Sequence, residues 1–189
     1  MHPQLVAIVD EFERAQERLH RLADRTDDDA WAARPHADAW SAAECVAHLN
    51  LTSRAYVPLV RGALAERRAS SETAPARYRR DPVGWLISTM SGPMPRIARR
   101  RFGRVRTAAA FVPDGDLPRA TLLADFDALQ AEQIALVRHA DGAPLQRIRV
   151  TSPFDARVRY NLYACLVTLP AHQHRHLEQA EEAVAAALP

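Results

Sequence analysis

Two apolar stripes at helical spacing each carry histidine, and that pairing points to a helical core with imidazoles facing inward. One stripe runs Cys45, Leu49, Thr52, Tyr56, Leu59 and Ala63, with His48 inside it. The other runs Leu162, Leu166, Leu169, His172/Gln173, His176, Ala180 and Val184. Residues three and four apart share a helix face, so His48 falls beside Cys45 and Thr52, while His172 and His176 leave one face a turn apart. An imidazole with no partner on such a face is costly.

The rest of the chain is consistent with a bundle. Leu5, Ile8, Val9, Phe12, Ala15, Leu19 and Leu22 predict a first amphipathic helix over residues 3–22, followed by a loop from Arg25 to Ala39. The second helix has a clear start. Ser41 and Glu44 form a capping box, with Trp40 placed to staple against Cys45. Residues 66–117 hold five prolines and many arginines, and read as a long connection with one short helix near Trp85–Met90. A third helix is expected from about Pro118 to Ala140, stopped by Asp141-Gly142-Ala143-Pro144. Residues 145–158 read as irregular, with Leu145–Val150 able to extend. A fourth helix is expected from about Arg159 to Leu188, opened by Tyr160 and Asn161 and kinked by Pro170 just before the histidines. The prediction is an all-α fold: a four-helix bundle with a long crossover connection, as one domain over residues 1–189.

Composition narrows the chemistry. All 25 basic residues are arginine, which excludes a Schiff-base or phosphate-loop lysine; a GC-rich genome is the plainer origin of that bias. A formal charge of +2 does not by itself imply nucleic acid. Cys45 and Cys165 form neither a CxxC pair nor a disulfide framework. No charged-then-apolar leader and no membrane-length apolar run is evident, so a reducing cytoplasm is expected and a membrane partner is not.

His172 and His176 have the spacing that lets two imidazoles grip one ion. Such a pair alone is common on surfaces, and a single buried histidine is usually a hydrogen-bonded core residue. Three on core faces favour a shared metal with a coordination position left open, the pattern of a catalytic rather than a closed site. His174, rotated by about 200°, is expected in solvent. Glu44 is a weak candidate general base one turn before His48, since its place in the capping box explains it without catalysis. Cys45 and Cys165 read as small core residues. Gln179 is placed as an outer partner of His176, and Thr52 and Tyr56 are placed to line a pocket. Arg96, Arg99, Arg100, Arg101, Arg104 and Arg106 form either a solvated basic face or a patch for an anionic substrate or cofactor. Arg96, Arg99 and Arg100 are the cofactor-binding candidates within it. No nucleic-acid motif accompanies the cluster.

Trp40-Ser41, Glu44 and His48-Leu49, together with His172, His176 and Gln179, resemble the DinB-like (DNA-damage-inducible, YfiT-related) metalloprotein superfamily. Trp31, Pro35 and Ser152-Pro153-Phe154 extend the resemblance over nearly the whole chain, but not through residues 66–117. The resemblance implies a four-helix bundle binding a divalent metal, zinc or nickel, through three histidines, here His48, His172 and His176. It also implies frequent homodimers and metal-dependent hydrolases, or transferases and isomerases that use a low-molecular-weight thiol. The expected function is therefore a metal-dependent enzyme acting on a small-molecule substrate. The alternatives are a non-catalytic metal- or ligand-binding stress-response protein, or a site that stays empty.

Overall fold

A computed structural model gives the architecture for residues 1–66, 73–93, 96–97, 100–101, 108–113 and 117–187; for 96–97 and 100–101 it describes the backbone alone. The bundle consists of α1 (Pro3–Asp24), α3 (Ala42–Glu66), α5 (Arg119–His139) and α6 (Leu162–Ala187). Two shorter helices join them, α2 (Asp28–Ala32) and α4 (Pro82–Ser91). Each of two small antiparallel ladders pairs two strands: β1 (Arg96–Ile97) with β2 (Arg100–Arg101), and β3 (Arg149–Thr151) with β4 (Arg159–Asn161). The α3 helix packs on α5 and α6, α1 packs on both of those, and α4 lies along α6.

The helix starts follow local chemistry. The Ser41 hydroxyl accepts from Glu44 N at 3.2 Å, and Glu44 Oε2 accepts from Ser41 N at 2.9 Å, so the capping box is closed from both sides. Asp27 caps α2 by accepting from Ala30 N, which turns part of the expected 25–39 loop into a helix. Asp81 caps α4, with Pro82 at its first position. Asn161 Oδ1 accepts from Ala164 N at 2.8 Å and caps α6. The last helix therefore begins at Leu162 and not at Arg159, because Arg159–Asn161 is spent pairing with Arg149–Thr151. Helix α6 continues uninterrupted through Pro170. Gly142, at φ +76°, ends the turn after α5 as its sequence requires.

The first two turns of α3 are not amphipathic. Every residue from Ser41 to Asn50 is buried, because α2 and the 3₁₀ turn Ala109–Phe111 cover the side that α5 and α6 leave open. Two apolar clusters divide the interior. One gathers Leu5, Phe12, Tyr56, Val60, Tyr160, Leu162 and Leu169, the other Leu19, Trp31, Leu49, Leu122, Phe126, Leu177 and Val184. Burying a leucine of this kind stabilises by roughly 1.5–3 kcal/mol.

Between the clusters lies a polar level. Gln130 and Gln173 exchange amide hydrogen bonds of 3.1 and 2.8 Å, and Gln130 Nε2 also donates to Phe12 O at 2.5 Å. Both glutamines are fully enclosed, so an unpaired amide would be costly and the exchange fixes α1, α5 and α6 in register. His48 and His176 are buried as well.

Candidate metal centre

The α3 helix presents His48, while α6 presents His172 and His176. One ring nitrogen from each lies within 4.8 Å of the others. The His48 ring centroid is 5.3 Å from that of His172 and 4.5 Å from that of His176, and the two α6 rings are 4.5 Å apart. Three imidazoles from two helices thus meet at one point. Among the described residues no carboxylate or thiol joins this group.

His48 is oriented by its second nitrogen. Nδ1 lies 2.8 Å from the Phe111 carbonyl, which can only accept, so Nδ1 carries the proton and Nε2 keeps its lone pair. His176 Nδ1 is enclosed and has no hydrogen-bond partner among the described residues. Burial lowers the pKa of His48, against the pull of the Phe111 carbonyl. Burial, then the charges of His48 and Arg175, takes His172 down to about 3. His176 is also held well below its ordinary value, by burial first and then by His172, His48 and Arg175, while Gln179 acts in the opposite direction. Three neutral rings suit a divalent cation, since the donors are unprotonated and borderline-soft, and the unpartnered His176 Nδ1 shows that the protein alone does not satisfy this group.

The histidines face an open cavity of about 1260 Å³. Its floor includes His48, Thr52 and Tyr56 from α3 and Thr168, Leu169, His172 and His176 from α6. Ile87 and Met90 of α4, Phe154 and Val158 of the β3–β4 connection, and Pro35 to Trp40 supply the walls. Trp40 does more than the staple role expected of it. Its ring lies 4.9 Å from His48 and stacks 5.9 Å from His176, covering the imidazoles from one side. Phe111 packs at 4.2 Å on Phe154, which also meets Tyr56 at 6.1 Å.

Other expectations divide. Glu44 is engaged elsewhere: both carboxylate oxygens pair with Arg34, one at 2.8 Å, and one also accepts from Ser41. Burial alone would raise its pKa, but Arg34 and Ser41 together hold it below the ordinary 4.5. Its carboxylate is committed to the cap and to Arg34, and Glu44 is not among the residues that line the cavity. His174 points away from the other three rings as expected, but it is only partly exposed, its Nε2 3.0 Å from Glu11 on α1. Cys45 and Cys165 are buried outside the histidine group. Tyr160 lies in β4 and not in the helix, and its hydroxyl is 2.8 Å from that of Tyr56. Gln179, Thr52 and Tyr56 do line the cavity. Arg99, Arg104 and Arg106, and the side chains of Arg96, Arg100 and Arg101, lie outside the described residues.

Sequence reasoning missed Phe111, Ile87, Met90 and Arg175. Arg175 follows His172 by three residues on α6, lines the cavity and donates to Met90 O at 2.6 Å. Its spacing was visible in the sequence. The Phe111 contact is made by a backbone carbonyl and leaves no residue-type signal.

Fold and site together define a helical-bundle protein with an inward-facing group of three histidines able to hold a metal ion. The family model of the DinB superfamily matches residues 11–180, and the chain belongs to that superfamily. No match is found among curated proteins or among solved structures. No helix among the described residues is long and apolar enough to cross a membrane.

Proposed function

We propose that the protein is a metal-dependent enzyme acting on a small molecule, with one divalent ion, zinc or nickel, held by His48, His172 and His176. The observation that carries this reading is the convergence of three neutral imidazoles on the floor of a large open cavity. A cation held there supplies Lewis acidity, which brings a water or a thiol toward its deprotonated form near neutral pH. The reaction class is therefore hydrolysis, or transfer of a low-molecular-weight thiol.

The chain's own groups have separable tasks. The Phe111 carbonyl fixes the His48 tautomer and aims its free nitrogen. Trp40 covers His48 and His176 on one flank. Ile87, Met90 and Leu169 offer apolar surface for the body of a ligand. Buried phenols at Tyr56 and Tyr160, whose pKa values are raised chiefly by burial, keep their protons and donate.

Turnover of an ester, amide or thiol-transfer substrate that needs the metal and vanishes in His48→Ala supports the enzyme. One ion bound per chain, with no turnover across such panels, would instead favour the non-catalytic binding protein. A homodimer belongs to the same reading, and a monomeric mass at micromolar concentration would contradict it.

A further inference from the structure

Helix α4 is inverted for a helix that packs on a core. Its buried residues are Gly84 and Ser88, and a Cβ at Gly84 would overlap that of Ala164 on α6. Its large apolar residues are turned outward instead. Val83, Trp85, Leu86 and Met90 are 42%, 54%, 52% and 43% exposed. Val83, Leu86 and Met90 follow the three- and four-residue spacing of one stripe, with Trp85 beside it. No residue from Pro82 to Ser91 is charged. Single exposed apolar residues are ordinary, but four on one ten-residue helix make a patch of the kind that meets a partner.

The charge around this face has one sign. Arg80 donates to Ser88 Oγ at 2.7 Å, and Arg175 donates to Met90 O at 2.6 Å. Arg149 pairs with Asp81, the one acidic residue between positions 73 and 113, and so offsets its charge. Arg77 and Arg79, both exposed, precede the helix, and in the sequence the arginine cluster that begins at Arg96 follows it. An apolar stripe in a cationic surround is complementary to an anionic bilayer surface. Arginine reaches lipid phosphates there, while tryptophan and leucine enter the boundary between headgroups and acyl chains.

A second copy of the chain fits the same face less well. A ten-residue helix is about 15 Å long, and its outward strip falls well short of the ~800 Å² that each partner buries in a stable dimer. The remaining area would come from surface on which a two-fold axis sets arginine against arginine. No helix among the described residues can cross a membrane, and a face that lies on a bilayer does not require one.

We propose that the outward face of α4, formed by Val83, Trp85, Leu86 and Met90, is a docking site for an anionic lipid surface. The helix lies in the plane of the bilayer boundary, with the neighbouring arginines at headgroup level. This contact is separate from the metal centre and does not depend on which reaction the cavity performs.

The test sediments the full-length protein with vesicles of phosphatidylcholine alone, or of phosphatidylcholine and phosphatidylglycerol in equal parts. Binding to the mixed vesicles is expected to be at least about tenfold tighter, and to weaken as salt is raised. The double variant Trp85→Ser/Leu86→Ser should bind them about tenfold or more weakly, with its circular dichroism unchanged. Brominated lipid in the mixed vesicles should quench the tryptophan emission of the parent. Trp85→Phe should still bind and lose most of that quenching, because Trp31 is buried and Trp40 partly so. Absence of binding to mixed vesicles, equal binding to both vesicle types, or parent-like binding by the double variant each overturns the proposal. So does quenching that persists in Trp85→Phe. A parent dimer that the double variant converts to monomer would overturn it too, and would assign the face to a second copy. If the double variant fails to fold, the vesicle and quenching comparisons decide.

Discussion

His48 Nδ1 lies 2.8 Å from the carbonyl oxygen of Phe111, 63 residues along the chain. That bond ties the first candidate ligand on α3 to the 3₁₀ turn Ala109–Phe111 and sets which nitrogen faces the cavity. The turn is itself anchored by Phe111 packing on Phe154. Phe111→Gly removes that anchor while leaving all three histidines in place. Zinc affinity, measured by competition with a chromophoric chelator, is expected to fall about 10–100-fold, as for loss of an outer hydrogen-bond partner. Unchanged affinity would mean that the carbonyl does not position His48.

Glu44 gives the pH prediction. Its carboxyl is held below 4.5 in the folded chain by Arg34 and Ser41. A depressed folded value means that the contribution is complete above the unfolded value and is lost as pH falls through the folded one. Urea melts of the parent should therefore lose this increment only below about pH 4.5, a loss that Glu44→Gln does not show. At neutral pH Glu44→Ala should cost about 1–2 kcal/mol through loss of the cap, with metal content unchanged. Loss of metal in this variant would restore Glu44 to the site.

Gly84 sets how closely α4 approaches α6. A Cβ there would overlap Ala164 Cβ and come within 2.6 Å of Asp81 Oδ1, the cap of its own helix. Both neighbours are short and rigid. Gly84→Ala is expected to destabilise by roughly 1–3 kcal/mol in urea unfolding, the usual range for overpacking. It should also displace Ile87 and Met90 from the cavity wall. A neutral or stabilising effect would show that α4 is free to shift.

Tyr56 and Tyr160 depend on each other. Burial raises both phenols, and each is the other's hydroxyl partner. Either single change to phenylalanine leaves a buried hydroxyl with a lost bond and should cost about 1–3 kcal/mol. The double change removes both groups and should cost less than the sum. A double-mutant cycle in urea with additive terms would contradict the coupling.

The bundle was legible because its signals are local. The Ser41/Glu44 box, the apolar spacing of α1 and the glycine after α5 act within one or two turns of themselves. The convergence of His48, His172 and His176 could be anticipated for a related reason, since each sat on a face too apolar to leave an imidazole unpartnered. What escaped the sequence reading depended on distant partners. The helix angle of His174 points it outward, and only the fold shows that Glu11 on α1 receives it. The apolar spacing runs the last helix back to Arg159, but β3 takes up Arg159–Asn161 and the helix starts three residues later. Trp40 looked like a helix staple, and only the approach of α6 turns its ring into a cover for His176.

Elemental analysis of protein purified without a histidine tag, beside His172→Ala, tests the central claim most directly. The account predicts about one zinc or nickel ion per parent chain and its loss in the variant, with helical content unchanged by circular dichroism. Parent protein that stays metal-free after incubation with either ion would contradict it. The three imidazoles would then be packing residues, and the enzymatic reading would fall with them.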